Sequence, residues 1–247
     1  MKLFKQVLLA AVFMTSHLAM AGEVSVAVAS NFYKPLLQLA EEFEQATGHK
    51  VAVSAGSTGA LYAQIKNGAP FEVFLAADQA RPEALEKEDK AIAGSRFTYA
   101  QGQLAYWSMQ KGLEAEEDFK KSLAEVEHVA IANPKNAPYG AAAMDVMNEL
   151  GVYQQAAEKL VEGNNIGQTY QYVSSKTVEA GFVALSQIYV DGRVAEGSAW
   201  LVPSSLHRVL NQDAILLTDT NDVARAFLDF LQSAPAKETI RSFGYKI

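Results

Sequence analysis

The chain of 247 residues contains no cysteine. That excludes a disulfide scaffold, a thiolate metal centre and a cysteine-linked lipid anchor. Basic residues are in short supply: 21 Lys and Arg face 28 Asp and Glu, for a formal charge of −7. Without a basic surplus the chain lacks the electrostatic footprint of a general nucleic-acid or anionic-membrane binder. Histidine is scarce, and His49, His128 and His207 stand far apart with no carboxylate motif beside them. Zinc-ligand spacing, a P-loop and the dinucleotide glycine fingerprint are all missing. Beyond the N-terminus no apolar run approaches the roughly 20 residues that span a bilayer. What the chain does have is apolar material, 49% hydrophobic against 20% charged residues. That balance fits a globular protein with one large core or two of medium size.

The N-terminus carries an export pattern. Lys2 and Lys5 precede the apolar run Val7–Met14, and Ala19-Met20-Ala21 places small residues where a signal peptidase cuts. Residues 1–21 are therefore expected to be a cleavable signal peptide, the run being too short for a membrane anchor. Loss of Lys2 and Lys5 takes the formal charge from −7 to −9.

The remainder alternates strand and helix signals. Val24, Val26 and Val28 alternate with small residues, which predicts a buried strand. Ser30-Asn31 is expected to cap a helix over 32–46, with Leu36, Leu37, Leu39, Ala40 and Phe43 on its apolar side and Gly48 ending it. Strands are expected at 50–54 and 73–76, with a short helix after GSTGAL (56–61). This β-α-β-α-β order is the signature of a parallel sheet with crossover helices. A second set follows: strands at 103–109 and 128–132, helices at 141–150 and near 153–161, and an apolar run at 180–185. The chain ends with a strand at 214–217 and an amphipathic helix at 222–232. With no repeat and no linker, two α/β lobes crossed more than once by the chain are expected.

Three strand-to-helix junctions share one chemistry. Ser30-Asn31-Phe32, Gly56-Ser57-Thr58-Gly59-Ala60 and Ala137-Pro138-Tyr139-Gly140 put small, hydroxyl or glycine residues at helix starts. A helix N-terminus offers unpaired N–H groups and a partial positive charge, so it binds anions without basic side chains. Ser30, Ser57 and Thr58 could equally be plain N-caps. Enzyme signals are poor, since the G-x-S-x-G spacing of a nucleophile turn is absent around Ser57. Tyr170 and Tyr172 could bind ferric iron or simply line a core or cleft. The clusters Glu41-Glu42 and Glu116-Glu117-Asp118 read as solvated faces, and Trp107 and Trp200 as packing residues.

Taken together, GSTGAL, QIKNGAPFEVFLAADQ, NPKNAPYG, GNNIGQTYQYVSS, GFVALSQ and the ending RAFLDFLQSAPAKETIRSFGY resemble the periplasmic molybdate-binding proteins across essentially the whole mature chain. The resemblance implies a two-lobe α/β periplasmic binding protein fold of type II with the ligand cleft between the lobes. Residues 22–101 plus 206–247 would form the first lobe and residues 102–205 the second. It implies a monomeric receptor rather than an enzyme, exported to the periplasm. The receptor would need no cofactor and would deliver molybdate, or tungstate, to an ABC permease with its cytosolic ATPase. In that family the oxyanion is held by serine hydroxyls and backbone N–H groups. Carried over, Ser30 and Ser57 would donate from the first lobe and the N–H groups of Tyr139 and Ile166 from the second. The chain departs from the family pattern at Ala184, where many members place a ligand-contacting tyrosine. Asn31 and the Tyr139 side chain are the nearest substitutes. The alternatives are a receptor of the same fold for sulfate, another oxyanion or ferric iron, and an exported hydrolase using Ser57 as nucleophile.

Overall fold

The computed structural model describes residues 21–247; the expected signal peptide falls almost wholly on 1–20, outside the described residues. The first half-sheet is built by strand, helix and return. Strand β1 (Glu23–Ala29) leads into a single 3₁₀ turn at Ser30–Phe32 and helix α1 (Tyr33–Thr47), then β2 (Lys50–Gly56), α2 (Thr58–Lys66), β3 (Val73–Leu75), α3 (Ala80–Lys87) and β4 (Phe97–Gln101). β1 pairs in parallel with β2 on one side and β3 on the other. Its two faces are both covered: Val24, Val26 and Val28 pack with Leu36, Leu39 and Phe43 of α1, while Ala27 packs with Leu61, Ile65 and Leu85 from α2 and α3. Double coverage is why the strand is apolar at nearly every position rather than at alternate ones.

The chain then enters a second sheet. β5 (Leu104–Ser108), α4 (Glu116–Glu125), β6 (Val129–Ala132), α5 (Pro138–Glu149), α6 (Tyr153–Ala156), β7 (Leu160–Gly163), α7 (Ile166–Ser174) and β8 (Ala180–Ala184) follow in order. The short α8 (Leu185–Ile188), a hairpin of β9 (Tyr189–Val190) and β10 (Arg193–Val194), and β11 (Ser198–Leu201) complete this part. The chain returns to the first sheet as β12 (Asn211–Leu216), followed by α9 (Asp222–Leu231) and α10 (Ala234–Ser242). The two five-stranded sheets have orders β2-β1-β3-β12-β4 and β11-β5-β8-β6-β7. Each contains three adjacent parallel strands, here β2-β1-β3 and β8-β6-β7. The chain passes between the sheets after β4 and after β11, and Lys246 bridges back to Gln101 beside the first passage. Among the described residues no helix is long and apolar enough to cross a membrane.

Several expectations need correction. Ser30 does not cap a helix: it lies within the 3₁₀ turn, its hydroxyl donates to Gly56 O at 3.0 Å and accepts no helix N–H, and α1 begins at Tyr33 without a side-chain cap. Leu37 is exposed, on the outer side of α1. α5 starts at Pro138, not 141, because proline without an N–H suits the first helical turn. The helix expected near 153–161 ends early. Leu160 and Val161 instead open β7, whose pairing with β6 outweighs the local helical pattern.

The amphipathic α9 seals the first core by laying Phe227 edge-on against Phe43, ring centres 5.2 Å apart. Phe227 is fully buried. Phe227→Ala should therefore lower the unfolding free energy by about 3–5 kcal/mol, read as a shifted urea midpoint at constant slope.

Candidate functional site

The C-terminal ends of parallel strands in both sheets run into helix starts, and these starts converge. β1 delivers Ser30 and Asn31, β2 delivers Ser57 and Thr58, β6 leads to Tyr139 at the start of α5, and β7 to Ile166 at the start of α7. Ser30, Asn31, Ser57, Tyr139 and Ile166 all line one small cavity, floored by small residues such as Ala29, Gly56, Ala77 and Ala137. Lys, Arg, His, Asp and Glu are absent from its lining.

Its polar surface is mostly backbone. Among the described residues the N–H groups of Ser57, Thr58, Tyr139 and Ile166 donate to no other protein group. They belong to the set a helix cannot pair internally, and they sit at its positive end. Pro138 has no N–H, so Tyr139 carries the first donor of α5. Ser57 caps α2 by accepting from Ala60 N at 3.4 Å, which engages a lone pair and leaves the hydroxyl proton free to donate. Asn165 caps α7 by accepting from Gln168 N at 3.0 Å, leaving Ile166 N–H uncommitted. Thr58 faces inward and accepts from Ala77 N at 3.1 Å. Ser30 borders the cavity, but its hydroxyl proton goes to Gly56 O.

The side chains of Asn31 and Tyr139 do not point freely into the cavity. They join a buried network directly behind it. Asn31 Nδ2 donates to Gln212 Oε1 at 2.8 Å and to Tyr245 Oη at 3.0 Å. Gln212 Nε2 donates to Tyr139 Oη at 3.1 Å, and Tyr99 Oη lies 3.0 Å from Gln212 Oε1. Ser186 Oγ donates to Asn31 O at 2.8 Å, with Tyr245 Oη 3.0 Å from both of those oxygens. Gln212 and Tyr245 escaped the sequence reading. The available signal was Asn211-Gln212-Asp213, three polar residues opening a strand whose second half, Ala214 to Leu216, is apolar and buried. Ala184 does not line the cavity; its N–H donates to Gln187 Oε1 and its neighbours continue into α8.

The two halves of the cavity are held together by direct bonds. Gly59 N of α2 donates to Asn136 O at 2.8 Å, Arg81 Nη2 to Lys135 O at 3.1 Å, and Lys34 Nζ to Gln187 O at 3.0 Å. A Cβ on Gly59 would stand 3.0 Å from Asn136 Cα, so a larger residue here would push the two backbones apart by a few tenths of an ångström. Tyr170 stacks on Trp107, ring centres 5.3 Å apart, and neither it nor Tyr172 reaches the cavity. Histidines lie elsewhere too: His49 accepts from Gly22 N, and His128 sits with Glu127 and Glu179 at the opposite ends of β6 and β8. Ser57 therefore has no base among the residues that line the cavity.

Two α/β lobes closed on a small cavity of neutral donors are the architecture of a solute-binding protein. The chain belongs to the family of bacterial extracellular solute-binding proteins, which it matches over residues 24–246. It is 50% identical to the molybdate-binding protein ModA of Azotobacter vinelandii over 92% of this chain and 91% of that one. It is 47% identical to ModA of Rhodobacter capsulatus over 92% and 89%. The solved structure of an A. vinelandii periplasmic molybdate-binding protein superposes with a TM-score of 0.86 at 39% identity, covering 91% of this chain and 99% of that one.

The phenols behind the cavity set a pH limit. Burial holds Tyr99 and Tyr139 well above the ordinary tyrosine range and pushes Tyr245 up to about 12. The folded protein thus keeps protons that the unfolded chain has lost. That stabilisation is complete below about pH 10, the ordinary tyrosine value, and is lost as pH rises through the folded values. Urea midpoints should stay level through about pH 9 and fall above about pH 10. Tyrosinate absorbance of the folded protein should lag that of the denatured chain over the same interval.

Proposed function

We propose that this chain captures molybdate between its lobes and hands it to an ABC permease with a cytosolic ATPase. The observation that carries this is the cavity lining: a ring of uncharged donors, four of them backbone N–H groups at strand-to-helix junctions, drawn from both sheets. Hydrogen bonds to a charged group contribute about 1.5–3 kcal/mol each, so several together offset much of a dianion's desolvation. A cage of donors without acceptors disfavours a ligand that still carries a proton, and a fixed cage spaced for long metal–oxygen bonds leaves sulfate under-coordinated. Tungstate has the same shape and charge and falls within the same proposal. The likeness to molybdate-binding proteins at 50% and 47% identity supports the choice of ligand.

In this reading the ligand contacts are Ser57 through its hydroxyl and N–H, the N–H groups of Tyr139 and Ile166, and the Ser30-Asn31 turn. The Ser30 hydroxyl must leave Gly56 O in order to donate. The moving units are residues 22–101 with 206–247 and residues 102–205. The protein acts as a periplasmic monomer after removal of residues 1–21, as a receptor without cofactor or catalysis.

Calorimetric titration of residues 22–247 tests this. Molybdate and tungstate should bind with similar affinity and sulfate far more weakly; heat from sulfate or ferric iron alone overturns the ligand assignment. At a thousand times its dissociation constant, molybdate should stabilise the fold by about 4 kcal/mol. Ser57→Ala removes one charge-assisted donor and should weaken molybdate binding about ten- to a hundredfold; unchanged affinity would take Ser57 out of the site.

A further inference from the structure

We infer that Gln212 is a positioning residue that makes closure of the lobes and assembly of the donor cage one event. The inference rests on the anion-receptor function proposed above and adds to it the residue through which the two sides of the cage are coupled. Gln212 comes from β12 of the first sheet and is fully buried. Its carbonyl end accepts from Asn31, which borders the cavity from the first sheet, and its amide end donates to Tyr139, which borders it from the second. The residues that face the cavity on opposite sides are thus joined, behind it, through one side chain. A leucine fills the same space but supports neither bond. A carboxylate supports only the accepting end, and a glutamine supplies acceptor and donor together.

Local structure is arranged around this side chain. The pairing of β12 with β4 shifts register between Gln212 and Asp213, an irregularity of the kind that re-aims a side chain. Gly102, at the first passage between the sheets, leaves the necessary room: a Cβ there would lie 2.0 Å from Tyr139 Oη and 2.5 Å from Gln212 Nε2. Opening the lobes breaks the bond from Gln212 to Tyr139 while the bond from Asn31 to Gln212, within the first lobe, survives. Closure therefore restores a buried donor–acceptor match at the same moment as it brings Tyr139 N–H to the ligand.

The test is a double-mutant cycle on molybdate affinity with Q212L and Y139F, neither of which alters a backbone donor. Each single variant should weaken binding at least tenfold, and the double variant should be no weaker than the worse single one, because both remove the same link. Q212E supplies a rescue. Its protonated carboxyl can accept from Asn31 and donate to Tyr139, whereas its ionised form cannot donate. A buried carboxyl titrates as high as about pH 8–9, so Q212E should bind nearly as tightly as wild type near pH 6 and lose about two- to tenfold by about pH 9, with wild type level. The titratable groups around this site are Tyr99 from β4, Tyr139 from α5 and Tyr245 from the C-terminal segment. Beyond them lie Asp213 and Asp78, paired with Arg96 and Arg81. The three phenols stay protonated throughout that range, for burial raises all of them.

Single variants of wild-type affinity, fully additive losses, or a Q212E that binds equally at both ends of the range would each overturn the inference. Q212E near pH 6 also keeps the test decisive if Q212L fails to fold. Wild type titrated alongside separates the two levels: no molybdate binding by wild type ends the proposed function, whereas binding with additive losses ends only the role of Gln212.

Discussion

The first N–H groups of a helix have no partner inside it, and this molecule is organised by how it shares those groups out. In α2 the sharing is explicit. Ala60 N–H goes to the Ser57 hydroxyl, Gly59 N–H goes to Asn136 O of the opposite lobe, and the N–H groups of Ser57 and Thr58 are left for the cavity. One helix end thus caps itself, holds the lobes together and faces the cavity. In α7 the cap Asn165 takes Gln168 N–H and leaves Ile166 N–H; in α5 proline removes one donor outright, so that Tyr139 supplies the next. These ends meet because each follows a parallel strand, and parallel strands direct their helix starts to the same edge of the sheet. The parallel order β2-β1-β3 and its counterpart β8-β6-β7 therefore do more than build two cores. They aim the unpaired groups of both lobes at a single volume.

This arrangement separates the charge of the molecule from the chemistry of the cavity. The surplus of acidic residues lies on the surface, where salt screens it within roughly 8–10 Å. Buried charge is paired away from the cavity, as where Arg96 holds Asp213 at 2.6 Å. Within the cavity the potential comes from aligned peptide dipoles and hydroxyls, which carry no net charge. A lysine or arginine there would attract any anion and would favour strength over selection. Neutral donors with fixed directions leave geometry as the criterion.

How much of this was legible in the sequence depends on how local the determining interactions are. The alternating valines of β1, the glycine stop after α1 and the hydroxyl-rich start of α2 were readable because each depends on residues within a turn or two. Four of the five candidate contacts, Ser30, Asn31, Ser57 and Tyr139, stand at junctions whose small and hydroxyl residues are visible in the sequence, whereas Ile166 was reached only through the family resemblance. The failures have a common cause. Leu160-Val161 follows helical residues and becomes a strand only because β6 lies beside it. Asn31 and Tyr139 looked like free side chains because their partner Gln212 lies 181 residues from one and 73 from the other. Tyr245 sits near the end of the chain, 214 residues from Asn31. Pairings that distant leave no periodicity to read, only a polar residue standing where an apolar one is expected.

A polar residue in such a place has a physical use at the seam between the lobes. Behind the cavity Asn31, Tyr99, Tyr139, Ser186, Gln212 and Tyr245 form a buried network where leucines would pack as well. An apolar seam between lobes is tolerant: it gains stability from any close approach, whatever the register. A hydrogen-bonded seam is not, because a small displacement leaves a buried donor or acceptor unpaired at a cost of about 1–3 kcal/mol. Glycines complete the restriction. Gly59 and Gly102 stand where another backbone or side chain comes too close for a Cβ, so the approach has a steric limit as well as a polar register. A cage that must distinguish tetrahedral anions by fractions of an ångström needs its two halves to meet in one arrangement only. A polar seam with small residues at its closest contacts provides that arrangement, and an apolar seam of equal stability would not.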